Sequence, residues 1–218
     1  MRVLLTQSIN LYAAFLLIVS FAMSSQRRIL SLVHLYTSQG VALVLATVTV
    51  AYLTNQPHLF FSAGITLVLK VMLIPTMLHR VIDRLNVRWD VEPLINIPTT
   101  MLIGIVLVVF AFNLASPISQ LSSSIARSTL GIALACVLLS FMMIVRAKAI
   151  PQVIGFLAME NGLFFAATSA TNGMPMIVEL GIALDVLVGA LILGVFMFQI
   201  REQFDSLDIR HLERLKEE

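Results

Sequence analysis

Long apolar runs dominate this chain, and short polar segments separate them. A helix needs about 20 mostly apolar residues to cross the hydrocarbon core of a bilayer, and it satisfies its backbone hydrogen bonds internally. Runs close to this length lie at residues 4–23, 29–53, 59–78, 99–114, 130–145, 153–170 and 177–200. The pattern predicts an all-α, polytopic membrane helix bundle with about seven transmembrane helices, in one membrane domain over residues 1–218.

The composition agrees with a membrane protein. The chain is 59% hydrophobic and only 12% charged, and its mean hydropathy is +0.96, whereas soluble domains carry about 25% charged residues. The net charge of +2 does not indicate nucleic-acid binding, because the basic residues form short clusters between apolar runs. Cys136 is the single cysteine and lies in an apolar run, which excludes a disulfide framework and a CxxC metal site.

Basic residues alternate between the connections and so orient the bundle. Every second connection is rich in Lys and Arg, and these connections lie on one side of the membrane. The connections on the other side are poor in basic residues and have only Arg2 and Arg127. The positive-inside rule makes the richer side cytoplasmic, with the N-terminus outside and the C-terminus inside. Turn formers such as Ser116-Pro117 predict helix ends on the outer side. The richer side holds Arg27, Arg28, Arg80, Arg84, Arg88, Arg146, Lys148, Arg201, Arg210, Arg214 and Lys216.

An internal repeat is suggested by two short matching segments. Residues 64–67 (Gly-Ile-Thr-Leu) parallel residues 181–184 (Gly-Ile-Ala-Leu). Two units of the same orientation would form a parallel repeat like those of some transporters. The predicted organisation is a first three-helix unit at 1–84, a connecting helix at 99–114, a second three-helix unit at 127–201 and a cytoplasmic amphipathic tail at 202–218.

Three ionisable residues fall inside the apolar runs: Lys70, Glu160 and Asp185. At 1.5 Å per residue they lie roughly 11 to 17 Å from the helix ends, where insertion scales assign a charge a cost of about 2.5 to 3.5 kcal/mol. Residues of this kind usually mark ion pathways or pair with one another. Pro75 follows Lys70 by five residues and removes a helical hydrogen bond, which predicts a helix kink.

Two interpretations of these residues stay open. In the first, Lys70, Glu160 and Asp185 form a proton relay, because burial favours their neutral forms while pairing favours their charged forms. In the second, Lys70 pairs with one carboxylate and fixes helix packing. The first interpretation is favoured because the runs hold two acidic residues and one basic residue, which cannot all pair one to one.

Other kinds of chemistry have little support in the sequence. His34 and His79 lie near the cytoplasmic ends of their predicted helices, so a bis-histidine haem is conceivable, although neither residue lies in a motif. No Ser/His/Asp arrangement, HExxH, P-loop or Gly-rich dinucleotide motif is present in the sequence. We therefore expect no catalytic, metal or cofactor site in this chain.

Several segments resemble hydrogenase-4 component E, a small membrane subunit of group 4 [NiFe] hydrogenase and formate hydrogenlyase-type complexes. They are residues 66–75, with Lys70 and Pro75, residues 150–162, residues 177–185, with Asp185, and residues 207–216. The most distinctive of them is Met159-Glu160-Asn161-Gly162. The resemblance covers most of the chain.

The last three predicted helices also resemble, more distantly, the NuoK-type subunit of respiratory complex I and the corresponding Mrp antiporter subunit. Asp185 matches the acidic residue of the third helix in those subunits. Glu160 departs from the pattern, because the usual glutamate aligns with Leu157, about one helical turn away. The resemblance therefore supports a role for Asp185 more directly than one for Glu160.

The resemblance implies an accessory membrane-arm subunit with no redox centre of its own. The [NiFe] and iron–sulfur centres would lie in other subunits, in a peripheral arm. Expected partners are antiporter-like subunits and a complex I-like membrane anchor in a bacterial or archaeal cytoplasmic membrane. Alternatives are a structural adaptor without ion conduction, an Mrp-type antiporter subunit and a free-standing antiporter or channel. The choice between H⁺ and Na⁺ stays open.

Overall fold

The computed structural model describes residues 2–84, 96–120, 124–146 and 148–171, together with Leu187 and Gly194. The regular elements in these ranges are helices. The third apolar run forms α3, a π-helical segment and α4 without a break between them. The helices are α1 (Arg2–Ser25), α2 (Ile29–Thr54), α3 (Pro57–Thr66), the π segment (Leu67–Leu73), α4 (Ile74–Arg84), α5 (Ile97–Gln120), α6 (Ser124–Ile144) and α7 (Ala149–Thr171).

The all-α membrane bundle is confirmed for these residues, and six of the seven predicted spans coincide with helices. Five stretches are long and apolar enough to cross a membrane, and Thr129–Ile144 is a shorter apolar helix. The seventh predicted span and the tail lie outside the described residues, except that Leu187 and Gly194 are helical. The count of seven, the sidedness of the termini and the three-helix repeat therefore stay predictions.

The predicted helix end at Ser116-Pro117 is wrong, because α5 continues through Pro117 to Gln120. Proline lacks an N–H, so the carbonyl of Asn113, four residues before Pro117, receives no hydrogen bond from this position. One lost bond close to a helix terminus does not end the helix. The apolar pattern consequently underestimated the length of α5 by several residues at this end.

Four helices form the centre of the bundle. α1 packs against α2 and α6, and α7 packs against α6 and α2, which closes a ring in the order α1, α2, α7, α6. The helix formed by α3, the π segment and α4 lies along α2, whereas α5 lies along α6 and α1. α7 is the most buried of the five long spans and α5 the least. The acidic residue of α7 is thus held in the protein interior.

Two apolar clusters fill the interior, one toward each end of the bundle. The first includes Met23, Tyr36, Leu78, Met143 and Leu157. The second includes Ile9, Leu43, Leu59, Cys136 and Phe165. Between them along the helices lie buried polar residues, which we call the polar layer: Ser20, Gln39, Lys70, Glu160 and Asn161.

Glycines let α7 approach α6 closely. A Cβ atom at Gly155 would lie 2.7 Å from Met143 Cβ and 3.1 Å from the Ile144 backbone nitrogen. A Cβ at Gly162 would lie 2.9 Å from Val137 Cγ2 and 3.1 Å from the Val137 nitrogen. These two glycines are seven residues apart and share one helix face, which is the small-residue packing expected within membranes.

We expect Gly155→Ala to lower the unfolding midpoint of the full chain in detergent, because the added methyl group meets the backbone of α6. Gly64→Ala is the matched control, since a Cβ at Gly64 has no heavy atom within 4 Å. Alanine also favours a helix over glycine by about 0.8–1.0 kcal/mol, so the control should unfold no more easily than wild type. Equal midpoints for the two variants would contradict this packing.

Candidate functional site

The centre of the polar layer is an ion pair between Lys70 and Glu160. The Lys70 ammonium donates a hydrogen bond to Glu160 Oε2 and forms a salt bridge with it. Lys70 is 2% exposed and Glu160 7% exposed, so neither charge is solvated by bulk water. Removing two charges from water costs several kcal/mol for each ion, and their attraction offsets this only with good geometry. The pair therefore depends on its protein surroundings.

Lys70 lies within the π segment rather than in regular α-helix. The Ile74 N–H donates to Leu69 O, five residues earlier, and the following residue, Pro75, has no N–H to donate. π-helical turns inside α-helices are rare and often occur at functional sites. The π segment ends at Leu73, two residues before the proline, and the predicted helix kink at Pro75 stays a prediction.

Gly40 in α2 allows the π segment to lie close. A Cβ at position 40 would be 3.3 Å from Val71 Cγ2 and 3.6 Å from the Lys70 carbonyl oxygen. A larger side chain there would push the π segment outward, away from α2. The glycine therefore helps to set how far the Lys70 side chain has to reach toward α7.

The Lys70 ammonium also has an aromatic neighbour. Its nitrogen lies 5.0 Å from the centre of the Phe164 ring. Phe164 is one helical turn after Glu160, so both contacts come from one face of α7. A cation over an aromatic face gains about 2 kcal/mol or more when desolvated. The ring stabilises the charged lysine without supplying a second proton acceptor.

Hydrogen bonds extend the polar layer from α7 across α2 to α1. Asn161 Nδ2 donates to Gln39 Oε1 at 3.2 Å, and Gln39 Nε2 donates to Ser20 Oγ at 3.1 Å. Ser20 Oγ in turn donates to Leu16 O at 2.9 Å. Because Asn161 follows Glu160 directly, this chain of bonds begins beside the ion pair and crosses the bundle from α7 to α1.

Some buried oxygens near the ion pair carry no hydrogen bond. Within the part of the chain that the structure describes, Glu160 Oε1, Asn161 Oδ1 and the Tyr36 hydroxyl have no partner. Tyr36 is fully buried and belongs to the first apolar cluster, which also contains Leu157 and Ala158 of α7. Buried polar groups are nearly always bonded to protein or to water, so each of these oxygens can accept a further hydrogen bond.

Arg146 joins the end of α1 to the connection between α6 and α7. Its guanidinium donates to Gln26 O at 2.9 Å and Met23 O at 3.3 Å, and also to Ser24 O. These carbonyls lie at the C-terminus of α1, where a helix lacks internal donors and favours a cation. Arg146 is 6% exposed, and burial lowers its pKa from the ordinary value. In the sequence alone, Arg146 is visible only as a topology signal.

His34 of α2 and His79 of α4 are neighbours. Their ring centres lie 5.6 Å apart in an edge-to-face arrangement. This contact places the start of α2 and the end of α4 at the same end of the bundle, where Arg146 also meets the end of α1. For the described helices, the connections predicted to share the Lys- and Arg-rich side thus lie at one end of the bundle. The described residues contain no group of three or more His, Cys, Asp or Glu suited to a metal.

Of the three predicted relay residues, the structure brings Lys70 and Glu160 together, and Asp185 lies outside the described residues. Leu157, the position of the usual glutamate in NuoK-type subunits, is buried in the first apolar cluster. Gln39, Ser20 and Tyr36 were not predicted from the sequence. A glutamine in the middle of an apolar run was the available signal for Gln39, whereas serine and tyrosine are too common in membrane helices to stand out.

Comparison with known proteins gives two informative similarities. The chain is 29% identical over 211 residues to the uncharacterized protein Rv0085 of Mycobacterium tuberculosis, with 96% of each chain covered. It is 22% identical over 182 residues to a protein of Escherichia coli K12, with 83% of this chain and 84% of the relative covered. That relative is hydrogenase-4 component E.

The same similarity holds for hydrogenase-4 component E of Shigella flexneri. No family model matches the chain, and no solved structure matches it. The resemblance stated from the sequence is thereby supported at a distant level. The aligned length includes most of the chain, so the similarity concerns the membrane bundle as a whole and not one short motif.

Proposed function

We propose that this chain is an accessory membrane-arm subunit of a group 4 [NiFe] hydrogenase complex of the hydrogenase-4 or formate hydrogenlyase type. In this role its buried ionisable residues contribute to proton or cation translocation coupled to hydrogen and electron transfer. The chain would be a non-catalytic subunit of an oxidoreductase. The [NiFe] and iron–sulfur centres would belong to other subunits, together with antiporter-like membrane partners and a complex I-like anchor in the cytoplasmic membrane.

The observation that carries the proposal is the buried Lys70–Glu160 ion pair at a π turn. Ionisable residues inside membrane helices are costly and commonly serve ion pathways. A proton passing from the ammonium to the carboxylate leaves both groups neutral, which a low-dielectric interior tolerates more easily than two separated charges. The pair can therefore change its charge state without expelling either side chain from the bundle.

Polar atoms beside the pair support proton exchange with neighbours. Glu160 Oε1 and the adjacent Asn161 Oδ1 are buried and have no hydrogen-bond partner among the described residues, so each can accept a further hydrogen bond. The bonded row Asn161, Gln39 and Ser20 provides further polar atoms toward α1. Asp185, predicted in the next span, is the third member of the proposed relay, and its link to Glu160 is part of the proposal.

A structural adaptor is the second candidate, and one observation favours it. Among the described residues Lys70 and Glu160 pair with each other, as an ion pair that only fixes helix packing would. In this role the chain would seat antiporter-like subunits against the hydrogenase module without conducting ions. The alternative of an Mrp-type antiporter subunit would change the complex to which the chain belongs. It would not change the role of the Lys70–Glu160 pair.

Membership of the complex is tested by copurification. We expect the tagged full chain, solubilised in a mild detergent, to copurify with a [NiFe] hydrogenase large subunit and antiporter-like membrane proteins. An untagged strain and a strain with an unrelated tagged membrane protein are the controls. Recovery with cation antiporter subunits and no hydrogenase subunit would instead support an Mrp-type assembly, and recovery of the chain alone would exclude both.

A further inference from the structure

Three helical segments contact one another in pairs around the ion pair. α7 meets the π segment through the Lys70–Glu160 salt bridge. α2 meets α7 through the hydrogen bond from Asn161 Nδ2 to Gln39 Oε1 at 3.2 Å. α2 also meets the π segment at Gly40, where an added Cβ would lie 3.6 Å from the Lys70 carbonyl oxygen. The three contacts form a closed triangle.

Both α2 and α7 use two consecutive residues in this triangle. Consecutive residues of an α-helix point about 100° apart. On α7, Glu160 bonds to the π segment while Asn161 bonds to α2. On α2, Gln39 bonds to α7 while Gly40 lies against the π segment. The direction in which α7 presents Glu160 is therefore tied to the direction in which it presents Asn161.

The Gln39 side chain is itself held in one orientation. Ser20 Oγ donates its proton to Leu16 O, so it accepts from Gln39 Nε2, which lies 3.1 Å away. This bond directs Oε1 of the same amide toward Asn161. Gln39 and Asn161 are both 0% exposed. A rotation of α7 that broke their bond would leave buried polar groups unpaired, at the full cost of their desolvation.

The ion pair is sensitive to small rotations of α7. Side-chain tips lie roughly 5–6 Å from a helix axis, so a rotation of about 20° would move the Glu160 carboxylate by about 2 Å. Direct proton transfer needs heavy atoms within about 2.6–3.2 Å of each other, and a buried ion pair is favourable only with good geometry. A displacement of this size would therefore separate Glu160 from the Lys70 ammonium.

We propose that Gln39 is a positioning residue for the Lys70–Glu160 pair, because its amide fixes the rotation of α7 at the residue that follows Glu160. The two hydrogen bonds of Gln39 go to Asn161 and Ser20 rather than to either charge, so it acts indirectly. Its importance for proton transfer rests on the proposed function, whereas the positioning itself can be measured on the chain alone.

Infrared spectroscopy of the purified full chain in detergent tests the positioning. In each variant, the bands of the Glu160 carboxyl are assigned by subtracting the spectrum of the same protein with Glu160→Gln. We expect Gln39→Met, which keeps the side-chain size but removes the amide, to shift these bands. Thr47→Val is the matched control and should leave them unchanged. Thr47 is buried in the same helix, and its hydroxyl bonds within α2, to Leu43 O at 2.9 Å.

A second comparison separates positioning from a general loss of packing. Gln39→Asn shortens one amide side chain by a methylene group and Asn161→Gln lengthens the other, so the double variant restores the summed length and can form the amide bond again. We expect the Glu160 bands to shift in each single variant and to return in the double variant. Unchanged bands in Gln39→Met, or shifts in the double variant as large as in the single ones, would overturn the positioning role.

Proton uptake by the assembled complex in inverted vesicles tests the consequence for transport. Misplacement of a reacting group by about 1 Å can lower a rate about a hundredfold, so we expect a loss approaching that size in Gln39→Met and recovery in the Gln39→Asn, Asn161→Gln double variant. Shifted bands with normal uptake would support the positioning of the pair by Gln39 but contradict the proposed relay. Normal bands with reduced uptake would overturn the positioning role.

Discussion

Lys70→Met is expected to destabilise the full chain by about 3–5 kcal/mol, the range found when one partner of a buried ion pair is removed. The physical reason is that Glu160 would keep its buried position, 7% exposed, but lose the ammonium that donates to Oε2. The Asn161 and Phe164 side chains offer no replacement cation. The measurement is reversible unfolding in mixed micelles as the fraction of denaturing detergent increases.

Two further variants make this prediction specific to the pair. Glu160→Gln should also destabilise, because it leaves a buried ammonium without a carboxylate, and the double variant Lys70→Met, Glu160→Gln should recover much of the loss. Arg80→Met is the matched control, since Arg80 lies on the same continuous helix but is exposed. Strictly additive effects of the two substitutions would show that the ion pair contributes nothing of its own.

The double variant Lys70→Met, Glu160→Gln is also expected to assemble into the complex and yet lose most of its proton uptake. Both groups are then neutral and of similar size to the originals, so packing is largely kept while the exchangeable protons are removed. Effects of general acid or base groups are typically 100- to 10,000-fold in rate, so a near-complete loss is expected for a pair in the relay. Proton uptake in inverted vesicles, driven by the electron donor of the complex, is the measurement.

Hydrogen turnover and assembly are measured beside proton uptake in the same vesicles. A relay role gives normal hydrogen turnover and a normal band in a blue-native gel, with little proton uptake. An adaptor role gives normal uptake wherever the double variant assembles. Arg80→Met should be normal in all three assays. Asp185→Asn leaves the Lys70–Glu160 pair intact and tests whether Asp185, the third predicted member, belongs to the same relay. Normal uptake with normal assembly in the double variant would end the relay proposal.

Much of the helical fold could be predicted from residue order. The apolar runs match α1, α2, α6, α7 and the long helix through the π segment, because a chain in lipid must satisfy its backbone bonds within each segment. The runs were less informative about helix ends. α6 begins at Ser124, several residues before the apolar run, since backbone hydrogen bonds continue past the hydrocarbon core. Pro117 lies inside α5 for the same reason.

The candidate site was predictable only in part. A lone charge in an apolar run is visible in sequence, so Lys70 and Glu160 stood out. Their pairing joins residues 90 positions apart and depends on which faces α7 and the π segment turn toward each other. Gln39, Ser20 and Tyr36 have no charge and therefore produce little sequence signal. The structure adds them through their burial and their hydrogen bonds.

The sequence by itself determined that this is a helical membrane protein and which ionisable residues must find partners inside it. These conclusions follow from hydrophobic length and from the cost of buried charge, and both are local properties of the chain. Only the tertiary structure decided that Lys70 meets Glu160, that Arg146 binds the end of α1 and that His34 meets His79. Each of these contacts depends on the relative rotation and height of packed helices, which side chains from several segments set together.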